Sequence, residues 1–231
     1  MDTLKANGNP AYIFPASFTY ANALCGFFSI FFSINGDFYK AAILIVIALF
    51  LDIFDGRIAR FFKSTSEFGK ELDSFADLIS FGVAPAVMIY LSELYVFQTT
   101  GILISFLLVL GGMSRLARFN TINISNFFLG IPIDASGMLI ASLFIAKVNL
   151  SPYMLSFVVI ILTILMVSNI KYPSFKKYKN EKRKETILLF ILFVLVCIAV
   201  TIFNINNLII VPPAFYILFG PILEMTKEKK E

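Results

Sequence analysis

Uninterrupted apolar stretches such as AAILIVIALFL, from Ala41 to Leu51, recur along this chain. A helix needs about 20 apolar residues to cross the hydrocarbon of a bilayer. On that measure candidate spans fall at 14–35, 39–60, 70–95, 99–118, 135–149, 152–170, 186–204 and 207–224. Hydrophobic residues make up 58% of the chain, against roughly 45–50% in soluble domains, and the mean hydropathy is +0.85. An ordinary soluble domain is thereby excluded. The expected fold is all-α: a polytopic membrane helical bundle of about eight transmembrane helices, in one domain over 1–231. Eight spans leave both termini on one side. The fifth is the shortest, and without it everything after it would invert.

Lys and Arg collect in cytoplasmic loops. Lys171, Lys176, Lys177, Lys179, Lys182, Arg183 and Lys184 crowd the segment after the sixth span, and Lys227, Lys229 and Lys230 the tail. The stretches around Gln98 to Gly101 and Asn204 to Asn207 have neither residue, and only Lys40 and Lys147 lie near that opposite face. The expected location is the inner (cytoplasmic) membrane, with both ends inside. The formal net charge of +4 sits mainly in these loops, so it reads as topology and contact with anionic lipid rather than nucleic-acid binding. Cys25 and Cys197 lie in spans without neighbouring Cys or His, as packing residues do. The first apolar stretch runs past Ile30 without a cleavage pattern, so the first span is expected to be retained. The chain has no Trp, and Tyr12, Tyr39, Tyr90, Tyr95, Tyr153 and Tyr172 fall near span ends as an interfacial belt.

Into this apolar chain are set four carboxylates, as Asp52-x2-Asp55-Gly56-x2-Ala59-Arg60-x8-Gly69-x3-Asp73-x3-Asp77. An ionised Asp at the bilayer centre costs roughly 2.5–3.5 kcal/mol, so four of them need cations, water or both. Each pair has helical spacing, which lets two helices aim four carboxylates at one place. Hard divalent cations take such oxygen ligands together with phosphate oxygens, and can act in pairs about 3.5–4 Å apart. Gly56 and Ala59 keep one wall small, and Arg60 offers a planar cation for phosphate. The plainer alternative is a water-lined cavity, or pairing with Arg57 and Arg60. Between the pairs, the polar run Lys63 to Glu67 reads as a cytoplasmic turn, with Ser64 and Glu67 at capping-box spacing. The acids therefore open inward.

This run resembles the signature of the CDP-alcohol phosphatidyltransferases, with every fixed position filled and both long gaps at the expected length. The resemblance implies transfer of a phosphatidyl group from a CDP-linked lipid to an alcohol, with release of CMP. It also implies two divalent ions, Mg²⁺ or Mn²⁺, held by Asp52, Asp55, Asp73 and Asp77, with Asp77 as the catalytic base. Thr19, Asn22, Gly56, Ala59, Arg60 and Ser66 would contact the CDP-lipid, and the protein would be a homodimer.

Further blocks resemble the membrane-embedded phosphatidylserine synthases of that family. They are Pro15-x2-Phe18-Thr19-x2-Asn22-x2-Cys25-Gly26, Ser80 to Ala86, Ser114 to Asn120 and Val167 to Pro173. The resemblance reaches from about residue 12 to 178, while 186–224 match only in being hydrophobic. It implies CDP-diacylglycerol and L-serine as substrates, amid membrane lipids. Arg115 and Arg118, three apart on one helix face, would bind the serine carboxylate; otherwise they snorkel to the interface or neutralise the aspartates. One departure is Gly130-Ile131-Pro132-Ile133-Asp134, where the subfamily ends in Pro. Asp134 either meets the serine ammonium or is a solvated loop acid, and the second reading is favoured. Three alternatives stay open. A glycerol 3-phosphate or inositol phosphate acceptor would want more cations than Arg115 and Arg118. An archaeal CDP-lipid donor would use the same residues. A cation-coupled transporter should carry inverted repeats, and none is visible.

Overall fold

The computed structural model describes residues 13–61, 66–121, 127–173 and 209–228. The expected span at 186–204 lies outside them, as do Tyr12, Ser64, Cys197 and most of the basic segment after residue 173. The other seven expected spans each coincide with helix. Helices α1 (Ile13–Ile34) and α2 (Phe38–Phe61) form a hairpin. Its turn passes through Gly36 at φ +77, a left-handed conformation suited to glycine, and an Asp37–Lys40 ion pair of 2.7 Å follows it. Small Ala41, Ala42 and Ala48 are fully buried on α2, and Ser29 of α1 donates to the Ala41 carbonyl at 2.9 Å.

Next, α3 (Glu67–Asp77) runs through a π-helical turn (Leu78–Val83) into α4 (Ala84–Ser92), making one apolar unit of 26 residues. A 3-10 turn (Leu94–Phe97) leads to α5 (Thr99–Thr121). After it come β1 (Phe127–Leu129), α6 (Ile133–Ile145), α7 (Pro152–Val167), β2 (Lys171–Pro173) and α8 (Val211–Glu228). The two short strands pair antiparallel, Phe128 opposite Tyr172.

Among the described residues three helical segments are long and apolar enough to cross a membrane: Ala16–Ile34, Glu67–Ser92 and Thr99–Thr121. The protein is a mostly helical membrane protein, and the expectation of eight spans is met only in that coarser form. With 13 and 16 residues, α6 and α7 reach about 20 and 24 Å at 1.5 Å per residue, short of a hydrocarbon core about 30 Å thick. Apolar side chains nevertheless point outward along whole faces. Tyr20, Leu24, Phe27, Phe28 and Phe31 do so on α1, and Ile102, Leu103, Phe106 and Leu110 on α5. Faces of this size suit lipid rather than water. The interfacial belt loses one member: Tyr172 is buried, donates to the Ile217 carbonyl at 3.3 Å and packs on Tyr216. Tyr95 and Tyr153 are exposed.

The π-helical turn sits against α1. A Cβ on Gly26 would lie 2.5 Å from Ser80 Oγ and 2.7 Å from Ser80 Cα, while that hydroxyl donates to the Asn22 carbonyl at 2.9 Å. Gly26→Ala should therefore push the turn away from α1 and destabilise the protein by about 1–3 kcal/mol, the usual range for overpacking. Thermal denaturation in detergent checks this; an unchanged midpoint would mean that the contact gives way freely.

Candidate active site

The acids meet where α2 and α3 pack beside α1. Asp52, Asp55 and Asp73 each present a carboxylate oxygen within 4.8 Å of the others. Asp55 is buried, Asp52 and Asp73 half-buried, and the Asp52 and Asp73 carboxyl groups lie beside each other. Negative charges this close, in poorly solvated surroundings, repel by several kcal/mol per pair at an effective dielectric of about 20. A hard divalent cation removes that repulsion, and an all-carboxylate donor set fits Mg²⁺ or Mn²⁺ rather than a softer metal. Asp77 lies outside this group of three. It is buried one helical turn beyond Asp73 and accepts a hydrogen bond from Asn22 Nδ2 at 3.3 Å.

Thr19 and Asn22, both buried, occupy successive turns of α1 and face the acids. Thr19 Oγ1 donates to Asp55 Oδ2 at 2.9 Å. The two residues expected around the nucleotide thus also aim the carboxylates, a role that sequence reasoning missed, although their i, i+3 spacing could have suggested it. Asn22 Oδ1 is buried without a partner, an acceptor left open beside Asp77.

Ser66, not Ser64, caps α3: extended at φ −131 and ψ 158, it accepts from the Gly69 N–H at 3.0 Å. That satisfies one of the amide groups a helix start leaves open. Gly56, Ala59 and Arg60 fall on the last two turns of α2, and their side chains lie outside the described residues.

The arginine pair divides. Arg118 Nη1 donates to Val167 O at 3.1 Å and Asn169 Oδ1 at 3.2 Å. Its Nη2 donates to Leu129 O at 2.9 Å, Met166 O at 3.1 Å and Ser168 O at 3.0 Å. Those carbonyls close α7 and β1, and the last turn of a helix leaves carbonyls needing donors. Gly130, at φ +72, lies inside this clamp, since a Cβ there would sit 2.3 Å from Met166 O. The guanidinium expected at a serine carboxylate is here engaged by the chain itself, holding α5, β1 and α7 together. Arg115 is buried, lies over the Phe128 ring at 5.8 Å, and has an Nε with no partner.

Asp134 is not a loop acid. It stands in the first turn of α6, half-buried, close enough to interact electrostatically with Asp52, Asp77 and Arg115. A cross-tie also went unread in the sequence. Asn120 Nδ2 donates to both Glu71 carboxylate oxygens at 3.2 Å and to Ser74 Oγ at 3.0 Å, and Lys70 Nζ to the Asn120 carbonyl at 3.4 Å. It fastens α3 to the end of α5 beside the acids. Nothing in the spacing of residues so far apart announces such a contact.

The family model described as CDP-alcohol phosphatidyltransferase matches residues 12–218. A Helicobacter pylori protein named CDP-diacylglycerol–serine O-phosphatidyltransferase is 43% identical over 199 residues, covering 81% of this chain and 84% of its own. A Bacillus subtilis protein of the same name is 40% identical over 169 residues, 72% of this chain and 93% of that one. An archaetidylserine synthase of Methanothermobacter thermautotrophicus is 39% identical over 158 residues, 66% of each chain.

Proposed function

Because the chain belongs to the CDP-alcohol phosphatidyltransferase family, we propose that it transfers the phosphatidyl group of CDP-diacylglycerol to L-serine, giving phosphatidylserine and CMP. The observation that carries this reading is the convergence of Asp52, Asp55 and Asp73 beside a buried Asp77 and a buried Arg115. Relatives named for different lipid donors share serine as acceptor, which supports the choice of alcohol.

Asp52, Asp55 and Asp73, with Asp77 at the edge, would hold Mg²⁺ or Mn²⁺ as a pair of ions. Bound there, the metal supplies neutralisation of the pyrophosphate charge. The remaining work falls to this chain's own residues. Asp77, held by Asn22, takes the proton of the serine hydroxyl as that oxygen bonds to the lipid-bearing phosphorus. The phosphorus–oxygen bond to CMP breaks. Thr19 keeps Asp55 in register. Arg115 offers its guanidinium to the serine carboxylate. By family resemblance Gly56, Ala59, Arg60 and Ser66 line the nucleotide and phosphate side, with Thr19 and Asn22 near it. The diacylglycerol tails stay in the bilayer against the apolar outer faces. The site opens to the cytoplasm from the inner membrane, and the protein works as a homodimer.

With Arg118 bound to carbonyls, one buried described cation remains near Asp77, too little for a phosphorylated acceptor. The test is direct: purified protein in detergent receives CDP-diacylglycerol, Mg²⁺ or Mn²⁺, and serine, glycerol 3-phosphate or inositol phosphate in turn. Phosphatidylserine and CMP are expected with serine alone. A phosphorylated lipid product would move the chain elsewhere in the family, and absence of CMP release with every alcohol would sink the enzymatic reading.

A further inference from the structure

We propose that Asp134 is a specificity-determining residue, whose carboxylate receives the acceptor's ammonium group while Arg115 takes its carboxylate and Asp77 its hydroxyl proton. The inference rests on the serine reading above and adds a residue at which the subfamily pattern has proline.

Its position is fixed by packing. The neighbouring Ile133 is buried so tightly that its Cδ1 would lie 2.4 Å from a Cβ on Gly112 of α5 and 3.4 Å from one on Gly82 of the π-helical turn. One turn later, a Cβ on Gly137 would lie 2.9 Å from the Phe81 Cα, so the two backbones pack closely. The start of α6 is thus pressed onto both the turn that follows Asp77 and the helix that carries Arg115.

An acid in a first helical turn has a plain purpose, since it complements the helix dipole by about 0.3–1 kcal/mol. Here the surroundings carry both signs. Asp52 and Asp77 lie within electrostatic reach of Asp134 as like charges and Arg115 as an opposite one, and Asp134 makes no ion pair among the described residues. A neutral Ser or Asn would serve the helix without the repulsion. The second observation is Arg115, whose buried Nε lacks a partner although Asp134 is near enough to act on its charge. With the signature acids assigned to metal and base, Arg115 and Asp134 are the described charges left over beside Asp77, one of each sign. An α-amino acid bearing a hydroxyl has the complementary pair.

The experiment compares L-serine with 3-hydroxypropionate, which keeps the hydroxyl and carboxylate and lacks the ammonium, in wild type and Asp134→Asn. Removing a charge-assisted contact should raise the serine KM about ten- to a hundredfold, with a much smaller change in kcat. The efficiency with 3-hydroxypropionate should hold or rise, so that the preference for serine falls by the same factor. Asp134→Ser should behave like Asn, and Asp134→Glu should restore part of the preference; folding of each variant is checked by its thermal midpoint. Mn²⁺ binding, followed by electron paramagnetic resonance, should not change. An unchanged preference in folded Asn and Ser variants would overturn the proposal, as would a loss of Mn²⁺ affinity, which would make Asp134 a ligand. Failure of wild type to use serine at all is a separate outcome, visible without any variant, and would remove both readings.

Discussion

Asp52→Asn and Asp73→Asn should each lower CMP release by at least about a thousandfold, roughly 4 kcal/mol of transition-state stabilisation. Each removes one of the three carboxylates that converge within 4.8 Å, and with it a full negative charge facing the cation. Excess EDTA on the wild type should do the same, with recovery on adding Mg²⁺ or Mn²⁺. Stability provides the contrast. In metal-free protein these substitutions relieve repulsion between like charges, so thermal midpoints should hold or rise while turnover vanishes. Near-normal turnover in either variant, or activity that survives chelation, would defeat the metal assignment.

Arg118→Ala should act through the fold instead. The substitution strips donors from four backbone carbonyls and the Asn169 side chain at one stroke. Hydrogen bonds to a charged donor contribute about 1.5–3 kcal/mol each, and several share this one side chain. A destabilisation of about 3–5 kcal/mol is expected, or roughly 10 °C in thermal midpoint for a chain of this size. The fraction that remains folded should show a serine KM close to wild type. A stable variant with a sharply raised serine KM would reverse the roles assigned to Arg118 and Arg115.

Helix positions were legible because apolar runs of about 20 residues have one common solution in lipid. The acid cluster was legible for a related reason: charge is so expensive at that depth that four spaced aspartates imply a shared purpose. The short reach of α6 was foreshadowed by the shortness of its apolar run. What local spacing could not convey was how differently two arginines three residues apart are placed, Arg118 among five acceptors and Arg115 buried with an open Nε. That difference depends on where α7 ends and on Gly130 bringing β1 back under α5, neither of which is written near Arg118. Asp134 was misplaced because the fifth expected span starts at residue 135, just beyond it, whereas the helix begins at Ile133 with Pro132 at its N-cap. The cap of α3 is Ser66, whose hydroxyl accepts the Gly69 N–H, while Ser64 lies outside the described residues.

The hydrogen bonds from α1 to the acids also bear on biosynthesis. Thr19 waits 36 residues for Asp55 and Asn22 waits 55 for Asp77, so the partners proposed to bind metal and activate the hydroxyl emerge from the ribosome within the first third of translation. Arg115 and Asp134 follow much later. At about 5–20 residues per second, the nucleotide-lipid half of the site has a lead of several seconds over the amino-acid half. A nascent chain arrested soon after α4 has inserted should already capture a CDP-lipid, and it should gain the capacity to choose an alcohol only once α6 has joined it.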